Sequence, residues 1–425
     1  MLPVTLLFHS PMDELELPPQ PVQSQPVQSQ QEPEPEPDSE SESESELVTT
    51  IGRLEVSTPT TTISSAALHV APMAAVTDRH FRMLARSISP LPVLWTEMTW
   101  DKSLLAAGLE SPTELEALIG FSAAEHPIVL QLGGCEPESL AQAAALGARR
   151  GYDGINLNCG CPAGTRGERQ HCYGARLMLQ PDLVASCCSA MITAVTEALA
   201  PAVVPCDFIS VKCRLGVSGR EEYQQLAQFV ATVAQAGVMY FVVHARQAVL
   251  NLHAAANRTI PPLQYDWVFR LISDFPSLHF SINGGVKSLT EAAELMHLGA
   301  RGVMVGRAVT ADPFSLLSSL STLSGQHVRT RRESLECYLA YANIAQKANW
   351  GRGHPETLAR KLLAPLVNFF HNTPHAGRWR RAMAAARAAR TELRLEDSAV
   401  TITRRCLEAC GATTPPPTGE MTVLD

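Results

Sequence analysis

Gly154-Ile155-Asn156-Leu157-Asn158-Cys159-Gly160-Cys161-Pro162 opens as a short apolar run and is stopped by a glycine and a proline. A run too short for a helix and bounded by breakers reads as a buried strand that opens into a loop. Just past its end stand a carboxamide, Asn158, and a thiol, Cys161. In a barrel of parallel strands chemistry is done at the C-terminal strand edge, which makes Cys161 a candidate reactive group. The bland alternative is an incidental cysteine, and with eleven cysteines in the chain that alternative starts ahead. A Gly-Cys-Pro turn at a strand end shifts the balance toward chemistry.

Seven more such runs surround this one: Leu68–Met73, Val93–Met98, Ile128–Leu132, Phe208–Cys213, Tyr240–His244, His279–Asn283 and Gly302–Gly306. Segments with helical spacing lie between them, at Asp78–Ser87, Pro137–Arg149, Pro181–Ala198, Glu221–Ala236 and Thr290–Leu298. Eight strand-helix alternations over ~240 residues predict an α/β fold of the (β/α)8 TIM-barrel type. A doubly wound open sheet is the alternative, and it is disfavoured because no Gly-x-Gly-x-x-Gly follows the first strand.

The barrel is expected to occupy 63–323. Before it, residues 1–62 alternate Pro, Gln, Glu and Ser, a composition that cannot bury enough apolar surface to fold. Every charged residue before Arg53 is acidic, eleven in all, so the net charge of −8 becomes +3 for the remainder. An acidic tail whose only arginine is Arg53 reads as the reverse of a transit peptide, and the opening Met1–Phe8 lacks the basic flank expected of a secretory signal. No run of eighteen apolar residues occurs, so no membrane-spanning helix is expected. The cysteines show neither a CxxC pair nor zinc spacing; they read as reduced thiols in an intracellular compartment, cytosol or organelle, with no metal site.

Beyond the last strand the pattern is helical, at Arg331–Lys347, His354–Phe370 and Arg378–Ala389, giving a smaller all-helical domain at 324–393 and a flexible tail at 394–425. Twelve basic residues stand between 326 and 390 against Glu333, Glu336 and Glu356. Such a run usually marks a solvated face. An excess of nine, mostly arginine, favours a phosphate-rich partner such as nucleic acid.

The strand ends read together as one site. Asn283-Gly284-Gly285 and Gly306-Arg307 end the last two strands, where barrels commonly offer backbone N–H groups to a phosphate. Arg307 adds a charge-assisted contact. Gln131, Lys212 and His244 would ring a flat, polar cofactor. An isolated ammonium in mid-barrel is costly, so Lys212 points to an anionic ligand.

These stretches resemble the tRNA-dihydrouridine synthases, flavin barrels with a C-terminal helical domain, and most nearly the branch acting on D-loop positions 20/20a. Carrying the resemblance are Ala71-Pro-Met-x-x-Val-Thr-Asp78, Thr96-Glu-Met98, Gln131-Leu-Gly-Gly134, Asn156-Leu-Asn-x-Gly-Cys-Pro162 and Val211-Lys-x-Arg-x-Gly216. His244-Ala-Arg246, Arg258-Thr-Ile-Pro-Pro-Leu-x-Tyr265, Ile282-Asn-Gly-Gly285, Gly302–Arg307, Ala359–Leu363, Phe369–Pro374 and Gly377–Arg381 continue it. Gln247, Cys159 and the length of the loop Ala163–Tyr173 depart from the pattern.

The resemblance implies FMN held by Pro72, Met73, Ala74, Gln131, Lys212, His244, Asn283, Gly284, Gly285, Gly306 and Arg307, with NADPH as reductant. It implies Cys161 as general acid, and Asn158, Arg246, Arg258, Arg360, Lys361, Arg378, Arg380 and Arg381 near the RNA. On that reading a hydride reaches C6 of a uracil drawn out of its stack, and Cys161 gives the proton at C5 from the opposite face. The protein is then expected to be a monomer whose partners are tRNA and NADPH, with no membrane. Two other readings stay open: a flavin barrel reducing a small molecule, and a non-catalytic RNA-binding barrel.

Overall fold

The computed structural model describes residues 68–162, 173–218, 222–250, 252–350, 355–388 and 398–410. The expected tail at 1–62 and all but the last residue of the loop Ala163–Tyr173 lie outside them. Eight parallel strands run in the order β1-β8-β7-β6-β5-β4-β3-β2: β1 Leu68–Val70, β2 Leu94–Trp100, β3 Ile128–Gly133, β4 Gly154–Cys159, β5 Ile209–Arg214, β6 Tyr240–His244, β7 His279–Asn283 and β8 Gly302–Val305. The ends of that order meet. Val70 N–H donates to the Val93 carbonyl (2.9 Å) and Val93 N–H to that of Leu68 (3.0 Å), which closes the barrel between β1 and β2.

The strands are apolar on both faces because each is covered twice, by helices outside and by the opposing strands inside. Trp95, Val129, Tyr240, Val242 and Met304 fill the interior. The register shifts in β2 between Trp95 and Met98. Such an irregularity re-aims side chains: the Thr96 hydroxyl accepts from Gln131 N–H at 3.0 Å.

The helices are α1 Arg79–Ile88, α2 Asp101–Glu110, α3 Pro112–Ile119, α4 Pro137–Arg149, α5 Pro181–Leu199, α6 Tyr223–Gln235, α7 Tyr265–Asp274, α8 Leu289–His297, α9 Arg307–Ala311 and α10 Pro313–Leu323. They are followed by α11 Arg331–Lys347, α12 Pro355–Leu363, α13 Ala376–Ala388 and α14 Ala399–Ala409. By length and composition α5 could cross a membrane. Here it is a barrel helix, with Val184, Cys187, Cys188, Met191 and Val195 buried.

The helices after β8 share one hydrophobic core with the barrel's outer layer. The join is α11 against α1, where His80 Nδ1 lies 2.8 Å from the Tyr341 hydroxyl. Arg329 donates to the Ser87 carbonyl (3.0 Å) and Asn368 to that of Thr310 (2.8 Å). Two expectations are corrected. The predicted helix His354–Phe370 stops at Leu363 and continues as a 3-10 turn over Pro365–Asn368, because Pro365 has no N–H to donate and crowds the preceding turn. Residues 398–410, assigned to a flexible tail, contain α14, capped by the Ser398 side chain with Ala399, Ile402, Cys406 and Leu407 buried.

Candidate active site

The β4 run ends as its sequence suggests, and its two polar residues are tied together. Asn158 Oδ1 accepts from the backbone N–H of Gly160 (3.0 Å) and of Cys161 (2.9 Å). The Cys161 carbonyl accepts from Ala175 N–H at 2.9 Å. A Cβ on Gly174 would lie 2.4 Å from that carbonyl oxygen, and Gly174 has φ 58°. Glycine there lets the chain return close under Cys161. The thiol is half-exposed at the barrel mouth. It lies near enough to Lys212 and Arg214 that a thiolate would raise the pKa of both cations.

The ends of β5 to β8 form a second group. Lys212 Nζ donates to Asn283 Oδ1 (3.0 Å), and Asn283 Nδ2 donates to the Met304 carbonyl (2.8 Å). Burial lowers the Lys212 ammonium to about 8, and Arg214 pushes in the same direction. His244 is held well below the ordinary imidazole range, first by burial and then by Arg214, Lys212, Arg246 and Arg307. An imidazole kept neutral among four cations, beside a half-buried lysine bonded to a neutral amide, marks a pocket with uncompensated positive charge. It fits an anionic ligand.

The glycine turns leave room for that ligand. Gly284 and Gly285 have φ of 109° and 80°, where L side chains are strained. A Cβ on Gly284 would stand 2.5 Å from the His244 ring, and one on Gly285 2.4 Å from Leu263. Gly306 lies against the first turn, its Cβ position 3.2 Å from Met73 Sδ. That turn, Pro72-Met73-Ala74, is held by Thr77, whose hydroxyl accepts from Met73 N–H at 2.9 Å. Ala75, at φ 59°, gives its N–H to the Glu97 carboxylate. Arg307, exposed, donates to the Arg258 carbonyl at 3.2 Å.

The structure therefore brings Met73, Gln131, Asn158, Cys161, Lys212, His244, Asn283, Gly284, Gly285, Gly306 and Arg307 to one end of the barrel. Arg246 is turned toward the protein rather than solvent. That guanidinium is 9% exposed and donates to the Pro261 and Thr259 carbonyls. It shapes the loop carrying Arg258, which is exposed. On the helices, Lys361, Arg378, Arg380 and Arg381 are exposed and Arg360 is half-buried beside Glu356 (3.5 Å). Among the described residues none of Lys361, Arg378, Arg380 and Arg381 has an ion pair. A cavity of about 750 Å3 joins the end of β2, at Glu97 and Met98, to Trp350 and Lys361.

The sequence places Arg214 and Glu97 at strand ends but assigns neither a role. Arg214 Nε donates to the Gly160 carbonyl (2.9 Å) and Nη1 to those of Gln247 (3.0 Å) and Asn257 (3.1 Å). It pins the cysteine turn to the loops after β6. Its place two residues after Lys212, at a strand end, was the available signal.

Fold and site together define a closed (β/α)8-barrel enzyme whose mouth gathers a thiol, oriented carboxamides and a cationic ligand pocket. Residues 69–406 match the family model for dihydrouridine synthase (Dus). The chain belongs to that family. It is 39% identical over 318 residues to the tRNA-dihydrouridine(20/20a) synthase of Xanthomonas campestris, covering 74% of this chain and 87% of the relative. It is 38% identical over 320 residues to the enzyme of the same name in Synechocystis, covering 74% and 88%. Among solved structures, morphinone reductase aligns at 12% identity and a TM-score of 0.40 over 65% of this chain and 91% of that one.

Proposed function

We propose that this chain reduces the 5,6 double bond of uridine in the D-loop of tRNA, at positions 20/20a, with FMN bound in the barrel mouth and NADPH as reductant. The observation that carries the reading is Cys161 held at the end of β4 beside the cationic pocket of Lys212 and His244. The pocket residues fit FMN: Lys212, Arg214 and Arg307 supply the positive charge, Gly284, Gly285 and Gly306 the room, and Gln131 and Asn283 fixed hydrogen-bonding edges. FMN, when bound, supplies the hydride that reaches C6 of the base.

The rest falls to the protein. Cys161 donates the thiol proton to C5, and solvent restores it afterwards, so hydride and proton together saturate the bond. Asn158 and Ala175 fix the cysteine backbone, so the proton is delivered from one place. A stacked uridine shields its 5,6 bond, and the base must leave the stack to reach the mouth. Lys361, Arg378, Arg380 and Arg381 bind the phosphate backbone and orient the folded tRNA.

The test is reconstitution. Purified protein with NADPH should form dihydrouridine in unmodified tRNA transcripts and none from free uridine. Turnover of free uridine or of an enone in place of tRNA would favour a small-molecule reductase. A protein that binds tRNA, carries no flavin and forms no product would favour a non-catalytic barrel.

A further inference from the structure

A buried chain of amides runs beneath the site, and one of its members has no part in the scheme above. Asn158 Nδ2 donates to Gln131 Oε1 (2.9 Å), Gln131 Nε2 to Asn156 Oδ1 (2.9 Å), and Asn156 Nδ2 to Ser210 Oγ (3.0 Å). Asn156 is fully buried, Gln131 is 1% exposed and Ser210 3%. Each carboxamide has a donor end and an acceptor end, so the sense of one dictates that of the next.

The top of the chain is anchored by groups that cannot reverse, and the bottom by a hydroxyl that adapts to it. At the top, backbone N–H groups of Gly160 and Cys161 face Asn158, which forces its oxygen toward them and its nitrogen toward Gln131. At the bottom, the Ser210 hydroxyl is oriented by the Ile155 carbonyl (3.5 Å), leaving a lone pair for Asn156. The top sets the sense, and the four side chains on β3, β4 and β5 satisfy it without a mismatch.

We infer that Asn156 is a positioning residue: it fixes the sense of the Gln131 amide, whose oxygen holds Asn158 Nδ2 and so steadies the grip of Asn158 Oδ1 on the Cys161 turn. It also decides which edge of Gln131 is left to face the ligand pocket. The inference rests on the reading of Cys161 as the proton donor, but the relay can be tested without turnover. An aspartate at 156 still offers Gln131 an acceptor, and Ser210 can rotate to donate to it. A leucine offers nothing and frees Gln131 to invert.

The experiment uses the full chain and follows two readouts: alkylation of Cys161 by iodoacetamide, located by peptide mass spectrometry, and kcat and KM for tRNA. Asn156→Leu should change the Cys161 alkylation rate by about threefold or more and lower kcat by about tenfold or more, with KM for tRNA little changed. Asn156→Asp should recover most of both. In an Asn158→Ala background the leucine substitution should add almost nothing to the alkylation change, because the two residues act in series. Independent, multiplying effects, or a folded Asn156→Leu protein with both rates unchanged, would overturn the inference.

If Asn156→Leu does not fold, Asn156→Asp and Ser210→Ala take its place. Ser210→Ala should shift alkylation in the same direction but less. Unaltered Cys161 reactivity in folded Ser210→Ala protein would again overturn the relay. A normal alkylation cycle in a protein that makes no dihydrouridine would leave the relay standing and remove the proposed function.

Discussion

Lys212 shows what single residues contribute here. Its ammonium, lowered to about 8 by burial and by Arg214, gains from any anion that enters. The sign follows from linkage: an anion raises the lysine pKa, so binding takes up a proton between the free and bound values. FMN affinity of the flavin-free protein should therefore be highest below pH ~8 and fall as pH rises above it. A fluorescence titration from neutral to alkaline pH checks this, and affinity that climbs with pH would remove Lys212 from the anion site. Residue identity carried much of the site into the sequence. A lysine, a histidine and a cysteine at strand ends are costly to place there without a purpose, and they stood out. The partners of Arg246, the carbonyls of Thr259 and Pro261, are announced by no spacing in the sequence. Asn156 was hidden inside a run that reads as apolar.

At the scale of elements, the strands were legible because burial on both faces leaves short uninterrupted apolar runs between breakers. Several helices were not. α2 and α3 are joined at Ser111, and α9 and α10 at Asp312, so neither pair presents a long periodic face. α14 follows a stretch that reads as loose, and it is defined by tertiary burial of Ile402, Cys406 and Leu407. The turn after β7 is the element on which ligand binding depends most. Gly285→Ala places a Cβ 2.4 Å from Leu263 at φ 80°, and should cost about 1–3 kcal/mol of stability while weakening flavin retention. Thermal melts and the flavin-to-protein absorbance ratio read both. Full flavin occupancy in a stable variant would show that the turn does not shape the pocket.

For the whole molecule, two features decide how barrel and helices work together. The first is the α1–α11 join. Burial and the nearby Arg79 lower the His80 pKa to about 3. The unfolded chain takes up that proton near pH ~6.5, so the stabilisation is complete above that pH and is lost as pH falls toward the folded value. His80→Gln should flatten the decline in melting temperature between neutral pH and pH ~4.5; an unchanged decline would assign acid sensitivity to other groups. The second is the basic face. Reversing charge at Arg378, Arg380 and Arg381 should weaken tRNA binding and shallow its salt dependence by about one unit of slope for each phosphate no longer neutralised, with NADPH oxidation intact. Binding that survives unaltered would place the tRNA elsewhere.

The measurement that bears most directly on the account is single-turnover reduction of unmodified tRNA by Cys161→Ala protein loaded with reduced flavin. The variant should keep its flavin and bind tRNA normally while forming dihydrouridine about 100-fold more slowly or worse, the usual scale for losing a general acid. Dihydrouridine appearing at the wild-type rate would contradict that role.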